Sequence, residues 1–325
     1  MTNDHLSTRR VSLENGPDYA LRLLRDCATP HGFLASSTDV ANYRRVWGRD
    51  GVIIGLAALM SGDSELIEAF GHTLLTLLEH QGPHGEIPSN VDAESGDVSY
   101  GGTAGRVDAD LWFVIGCGEY WRATRDETFL KRALPAVDKV GFLLGAWEFN
   151  SRGFVYIPQT GDWADEYIHN GYVLYDQLLY LQAQRTMCDL HWAHDGSPDR
   201  PREDCTGRLQ RLIQANYWFV ENGDVPADVY HEVLYRRGLR AAKFSRERFW
   251  MPFFAPYGYG YRFDALANIL ASLLDVADDE QRERVDRYIQ DEVTPKELRV
   301  VPAFHPVITP QDGDWKELQM DFSNT

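Results

Sequence analysis

Apolar residues recur along most of this chain at helical spacing. Over residues 64–80, Leu66, Ile67, Phe70, Leu74, Leu75, Leu77 and Leu78 fall on i, i+4 and i+7 positions, one face of an amphipathic helix. Phe263, Leu266, Ile269, Leu270, Leu273 and Leu274 make a second stripe over 263–276. The same periodicity predicts helices at about 17–26, 49–61, 107–124, 127–147, 171–190, 203–220 and 279–291. Asp63-Ser64-Glu65 and Asp126-Glu127 put carboxylates at helix starts, where the helix dipole favours them. Strand signals are few: Phe154-Val155-Tyr156-Ile157 and Arg299-Val300-Val301. The fold class is all-α, and residues 1–16 read as a tail ahead of it.

A coarse repeat runs through these helices. A surface-type helix is followed by a long loop rich in Gly, Pro and aromatics, then by a more apolar helix with Asp at its start. Those starts fall at Arg49-Asp50, Arg106-Val107-Asp108 and near Asp165, with intervals of 58 and 57 residues. A fourth, Arg262-Phe263-Asp264, follows an insertion at 221–260. A helical hairpin cannot bury its apolar face alone, so hairpins must stack on one another. Closing them into a ring gives an (α/α)6 toroid, with the long loops and the inner-helix N-termini on one face. An open solenoid is the competing arrangement, but its loops are short, whereas these run to about 20 residues and suggest function. A twelve-helix ring needs more than the nine helices read here, so the chain, taken as one barrel domain over 1–325, is expected to lack the last hairpins.

Composition narrows the ligand. The 325 residues carry 49 Asp+Glu against 32 Lys+Arg, a formal charge of −17, with 12% aromatic residues. That acidic surplus opposes nucleic acid, which requires clustered Lys and Arg. Sugars suit the balance best, because their faces stack on aromatic rings and their hydroxyls bind carboxylates. Cys27, Cys117, Cys188 and Cys205 form no CxxC pair, and Cys117 and Cys188, set among apolar residues, read as buried thiols. The N-terminus has no leader-type apolar stretch, and no run reaches about 18 apolar residues. The expectation is a cytoplasmic protein that needs neither membrane nor cofactor; homo-oligomerisation stays open.

Four acid-bearing helix starts on one face would make an acidic pocket. Its walls would come from Trp47, Tyr100, Trp112, Trp163, Tyr167, Trp250, Tyr257, Tyr259 and Tyr261. The densest candidate is Gly161-Asp162-Trp163-Ala164-Asp165-Glu166-Tyr167. A carboxylic acid flanked there by Trp163 and Tyr167 could be desolvated and kept protonated; the alternative is an ordinary N-cap with first-turn acids. Arg49-Asp50 either addresses vicinal hydroxyls or ties a loop to a helix start. Asp176, eleven residues after Asp165 on the same expected helix, reads as a satisfied polar group facing the pocket or a neighbouring loop. Other chemistries fit less well. His80-x3-His84 and His191-x2-His194 lack companion metal ligands. The glycines of 101–105 have neither the preceding strand nor the Lys of a phosphate loop, and no GxSxG occurs.

Asn42-Tyr43…Val46-Trp47-Gly48-Arg49-Asp50, ahead of an apolar helix, resembles the N-Y-x-x-V-x-x-R-D opening of the alkaline/neutral invertase family. It resembles more loosely the W-x-R-D segment of glucoamylases and glycogen-debranching glucosidases. Gly85-Glu86-Ile87-Pro88-Ser89, Gly105-Arg106-Val107-Asp108…Trp112, Asp165…Asp176-Gln177 and Arg262-Phe263…Leu266-Ala267-Asn268 are similar to later segments of the invertase family, in the same order. The resemblance implies an (α/α)6 barrel and metal-free, inverting hydrolysis of an α-glucoside. It makes Asp165 the general acid and places Arg49, Asp50 and Asp108 against the glucosyl hydroxyls. Trp47, Trp112, Asp162, Trp163, Asp176, Arg262 and Asp264 complete the expected substrate-binding set.

The chain departs from the family in two places. Asp165 is followed by Glu166-Tyr167 instead of Arg-Arg, and Thr160-Gly161-Asp162-Trp163 looks closer to debranching-type and trehalase-like relatives. The family's water-activating base falls beyond residue 325, with Glu317 and Asp321 as local carboxylates. Rival readings are an α-1,6-glucosidase or trehalase-like hydrolase, and a non-catalytic carbohydrate-binding protein. An epimerase would need two pocket histidines, and only His169 lies beside the candidate acid.

Overall fold

The computed structural model describes residues 16–164, 167, 169–197, 200–220, 225–294, 300–313 and 315. Among them are α1 (Gly16–Cys27), α2 (Gly48–Ser61), α3 (Ser64–Glu79), α4 (Val107–Thr124) and α5 (Glu127–Trp147). There follow α6 (Leu174–Asp195), α7 (Arg200–Tyr217), α8 (Glu232–Ala241), α9 (Ala265–Leu273) and α10 (Asp279–Tyr288). Asp63 and Asp126 cap α3 and α5 as their positions imply: each side chain accepts from two backbone N–H groups of the first turn. The pairs α2–α3, α4–α5 and α6–α7 pack as hairpins, while α2, α4, α6 and α9 pack side by side in that order.

The layering follows from burial. α4 is buried continuously from Val107 to Gly118, and α6 from Leu174 to Leu181, so neither needs a polar face until its last turns. The outer helices α3 and α5 keep a wet side and hence the clean amphipathic stripe. Close approach within this packing rests on glycine. A Cβ at Gly55 would sit 2.0 Å from the Phe70 ring of α3, and one at Gly118 would sit 2.3 Å from Thr186 of α6.

Because each hairpin turn is short, the inner helices start at the opposite end, among the long loops. Short antiparallel ladders fix those starts. Val46–Trp47, just before α2, pairs with Asn90–Val91, which pairs in turn with Val98–Ser99. Tyr172–Val173, before α6, pairs with Phe253–Ala255. Phe263–Asp264, before α9, pairs with Phe304–His305. At α4 the Val107 N–H donates to the Gly161 carbonyl at 2.7 Å, joining that start to the 160s loop.

Several sequence expectations need correction. Phe154–Ile157 is not a strand: the Gln177 side chain of α6 takes both backbone groups of Val155, at 3.1 and 2.8 Å, and leaves only an Ile157–Gly171 bridge. Val300 and Val301 lie in exposed loop, and Arg299 is outside the described residues. The 221–260 insertion contains α8, whose mostly charged surface hides a small apolar face: Tyr235 meets Phe219, which also contacts Tyr259. Cys188 is half-buried, not buried. Most consequentially, α6 begins at Leu174, so Asp165 precedes it. The acid that repeats Asp50 and Asp108 in the first turn of an inner helix is Asp176. The described helices form an arc of four inner helices, and closure into a ring is not a feature of the described residues.

Candidate active site

Four carboxylates converge where the inner helices begin. Asp108 and Asp176 come from the first turns of α4 and α6, Asp264 is the N-cap of α9, and Asp162 sits in the turn that hydrogen-bonds to the start of α4. None exposes more than 2% of its surface. Asp162 accepts from the Ala164 N–H at 2.8 Å and Asp264 from the Ala267 N–H at 3.0 Å, each with one oxygen on its own backbone. Their remaining oxygens, one oxygen of Asp108 and both oxygens of Asp176 have no protein partner. Buried polar atoms are normally paired, so a cluster left open by design points to a ligand.

The cationic counterweight is Arg49. Its guanidinium lies 3.1 Å from Asp108 and 3.4 Å from Asp50, joining the starts of α2 and α4. Burial disfavours its charge, but Asp108 and Asp50 outweigh burial and hold the proton more firmly than usual. Tyr175 donates to Asp108 at 3.4 Å and accepts from the Trp112 indole N–H at 2.8 Å.

Electrostatics then follow from crowding. Burial, then the charge of Asp108, raises the Asp162 carboxyl; burial, then the charges of Asp162 and Asp108, raises Asp176 further. The charges of Asp162 and Asp176 act on each other, so the pair favours holding a proton. Burial lifts Asp264 to about 7 against its backbone hydrogen bonds, and raises Asp108 against the pull of Arg49. Carboxyls raised by unequal amounts side by side are the arrangement that acid–base chemistry requires.

The other expected residues scatter. Asp165 and Glu166 lie outside the described residues, as do Glu317 and Asp321. Trp163 is half-buried, its ring parallel to Phe304 (9°, centroids 5.6 Å apart). Trp47 stacks on Tyr43 and donates to the Asn42 carbonyl. Trp112 is buried and donates its indole N–H to the Tyr175 hydroxyl. Trp250 is fully buried core, and Tyr100 lines a separate cleft with Glu86 and Asp110. Arg262 is not among the acids: it donates to the Pro306 carbonyl and pairs with Asp312 at 3.2 Å. Asp162 is no helix cap, and Asp176 is not a satisfied polar group. Tyr175 and Phe304 went unread in the sequence, and His169 was noted only as lying beside Asp165. Tyr175 had a signal, adjacent to Asp176 at a helix start; Phe304 had none, since its place depends on pairing with Asp264.

No family model matches the chain. It is 26% identical over 250 residues to a protein described as probable alkaline/neutral invertase A, chloroplastic, from Arabidopsis thaliana, covering 65% of this chain and 39% of that protein. Among solved structures it matches the GH78 family rhamnosidase of Bacillus sp. GL1, with a TM-score of 0.58 and 16% identity over 86% of this chain. It also matches a rhamnosidase from Klebsiella oxytoca with rhamnose bound, with a TM-score of 0.59 and 14% identity over 84% of this chain. The fold is that of a glycoside hydrolase-like domain. It corresponds to 26% and 46% of those two chains, so this chain spans less than half the length of each of these three proteins.

Proposed function

We propose that this domain belongs to an inverting glycoside hydrolase acting on an α-glucosidic bond, sucrose or a related α-glucoside. The observation that carries the reading is the convergence of Asp108, Asp162, Asp176 and Asp264, buried, partly unpartnered and pushed toward protonation, beside the Trp163 ring. In this reading Asp165 donates the proton to the leaving oxygen, as the invertase resemblance implies. Arg49, Asp50 and Asp108 hold hydroxyls of the ring being cleaved. Inversion requires a second carboxylate, about 6.5–9.5 Å from the acid, to activate water.

A second substrate reading has a specific support. Two rhamnosidases share the fold over more than four-fifths of this chain, which makes an α-rhamnoside a candidate beside sucrose, trehalose and an α-1,6 branch. The test is reducing-sugar release from all four by the full-length gene product that contains this chain, with the product anomer followed by NMR. Sucrose turnover with first-formed β-glucose, lost at least about 100-fold in Asp165→Asn, is the expected result. Turnover of the rhamnoside alone transfers the reading to that sugar. Saturable sugar binding without turnover of any substrate makes the protein a carbohydrate-binding one and overturns hydrolysis.

A further inference from the structure

A cleft of about 540 Å³ is lined by His169, Arg262 and the aromatic loop, and Phe304, which packs on His169, is stacked on Trp163 and paired with Asp264. Its volume lies in the range of small-molecule sites, about 300–1,000 Å³. Tyr257 and Tyr261 offer exposed rings on one side, and Phe253 and Tyr167 line it further. The Tyr257 hydroxyl donates to Asn170 at 3.2 Å, which fixes the aromatic loop in place. The charges in the cleft cancel: Arg262 pairs with Asp312, and Asp312 also accepts from the Thr309 N–H and hydroxyl, at 2.7 and 2.8 Å. Such a surface suits an uncharged ligand with flat faces.

One polar side chain in its wall has an unpartnered nitrogen. His169 is 8% exposed, lines the cleft, and is gripped between the Phe253 and Phe304 rings at 5.1 and 4.7 Å. Its Nδ1 is buried with no hydrogen-bond partner among the described residues. Burial, then the charge of Arg262, lowers its pKa to about 4, so the ring is neutral at ordinary pH. A neutral imidazole carries one N–H donor and one lone pair, and a hydroxyl can satisfy either.

We propose that this cleft receives the departing ring of the substrate and that His169 selects it, by hydrogen-bonding one hydroxyl of an uncharged, polyhydroxylated ring stacked on the loop tyrosines. Phe304 links the cleft to the acids, since it touches both Trp163 and His169 and is held in register with Asp264. The inference rests on the hydrolase reading, and its test separates the two.

The first arm compares α-glucosyl fluoride, which has no departing ring, with the disaccharide that the protein cleaves. His169→Phe keeps a ring of similar shape without nitrogen; its loss of kcat/KM on the disaccharide is expected to exceed its loss on the fluoride at least about tenfold, with partial recovery in His169→Gln. Equal losses on both substrates, or none on either, overturn the role of His169. A wild-type protein that releases neither fluoride nor sugar overturns the hydrolase reading instead. The second arm holds in either case: tryptophan fluorescence is titrated with glucose, fructose and rhamnose on the wild type and His169→Phe. A saturable change for at least one sugar, weakened at least tenfold in the variant, is expected; no saturable change in the wild type, or an unchanged affinity in the variant, overturns the cleft as a sugar site.

Discussion

At the scale of single residues, the unusual member is Asp176. Both its oxygens are buried without a protein hydrogen bond, and its nearest polar neighbour is another carboxyl. A residue retained only for stability would not be left so. Asp176→Asn is therefore expected to lower kcat/KM at least about 100-fold while leaving the melting temperature unchanged or higher, because it removes like-charge repulsion. Parallel loss of activity and stability would make Asp176 structural. Arg49 behaves oppositely. Removing it strands Asp108, so Arg49→Met should cost about 2–3 kcal/mol, somewhat less than a fully buried pair because Arg49 keeps some solvent contact. Adding Asp108→Asn should restore most of that loss in urea unfolding, the signature of a coupled pair. Asp50, Asp108 and Asp264 were legible in the sequence because each opens a helix. Phe304 was not, and His169 was legible only as a neighbour of Asp165, since nothing local marks a side chain whose partners come from distant segments.

At the scale of elements, the contrast between inner and outer helices explains what was readable. α3 and α5 are amphipathic because one face stays wet, and periodicity located them to within a residue or two. α6 is buried all round at its start, so periodicity could not mark where it begins, and its expected start near 171 carried Asp165 with it. The Phe154–Ile157 segment has strand composition, yet Gln177 satisfies its backbone and no ladder forms. Gly55 tests the packing of the first hairpin. Gly55→Ala places a Cβ 2.0 Å from the fully buried Phe70 ring, so the melting temperature should fall, with a loss of about 1–3 kcal/mol in urea unfolding. An unchanged midpoint would mean that α2 and α3 can separate freely.

At the scale of the molecule, the charge of −17 and the buried acids act together on stability. Asp108, Asp162, Asp176 and Asp264 are all raised in the folded state. A raised group contributes stability below its unfolded value, near 3.9, and loses it as pH rises through the folded value, about 7 for Asp264. Asp63, Glu86, Asp92 and Asp312 are lowered and work the other way, but they are only half-buried, so solvent screens them and they carry less weight. The melting temperature is expected to fall between about pH 5 and pH 7. Asp264→Asn, which can still cap α9, should flatten that fall in scanning calorimetry. A slope identical to wild type would show that Asp264 does not titrate in this range.

What the amino-acid sequence determined by itself was whatever depends on neighbours within a few turns: the helical class, the caps at Asp63 and Asp126, the long loops on one side, and acids at inner-helix starts. What the tertiary structure alone decided was which of those acids meet, that Asp176 and not Asp165 holds the third helix-start position, that Trp112 donates to Tyr175, and that Phe304 joins Trp163 to His169. The reason is physical. Periodicity and capping are local free energies written in consecutive residues, whereas burial, pKa and unpaired oxygens depend on what distant segments bring to the same small volume.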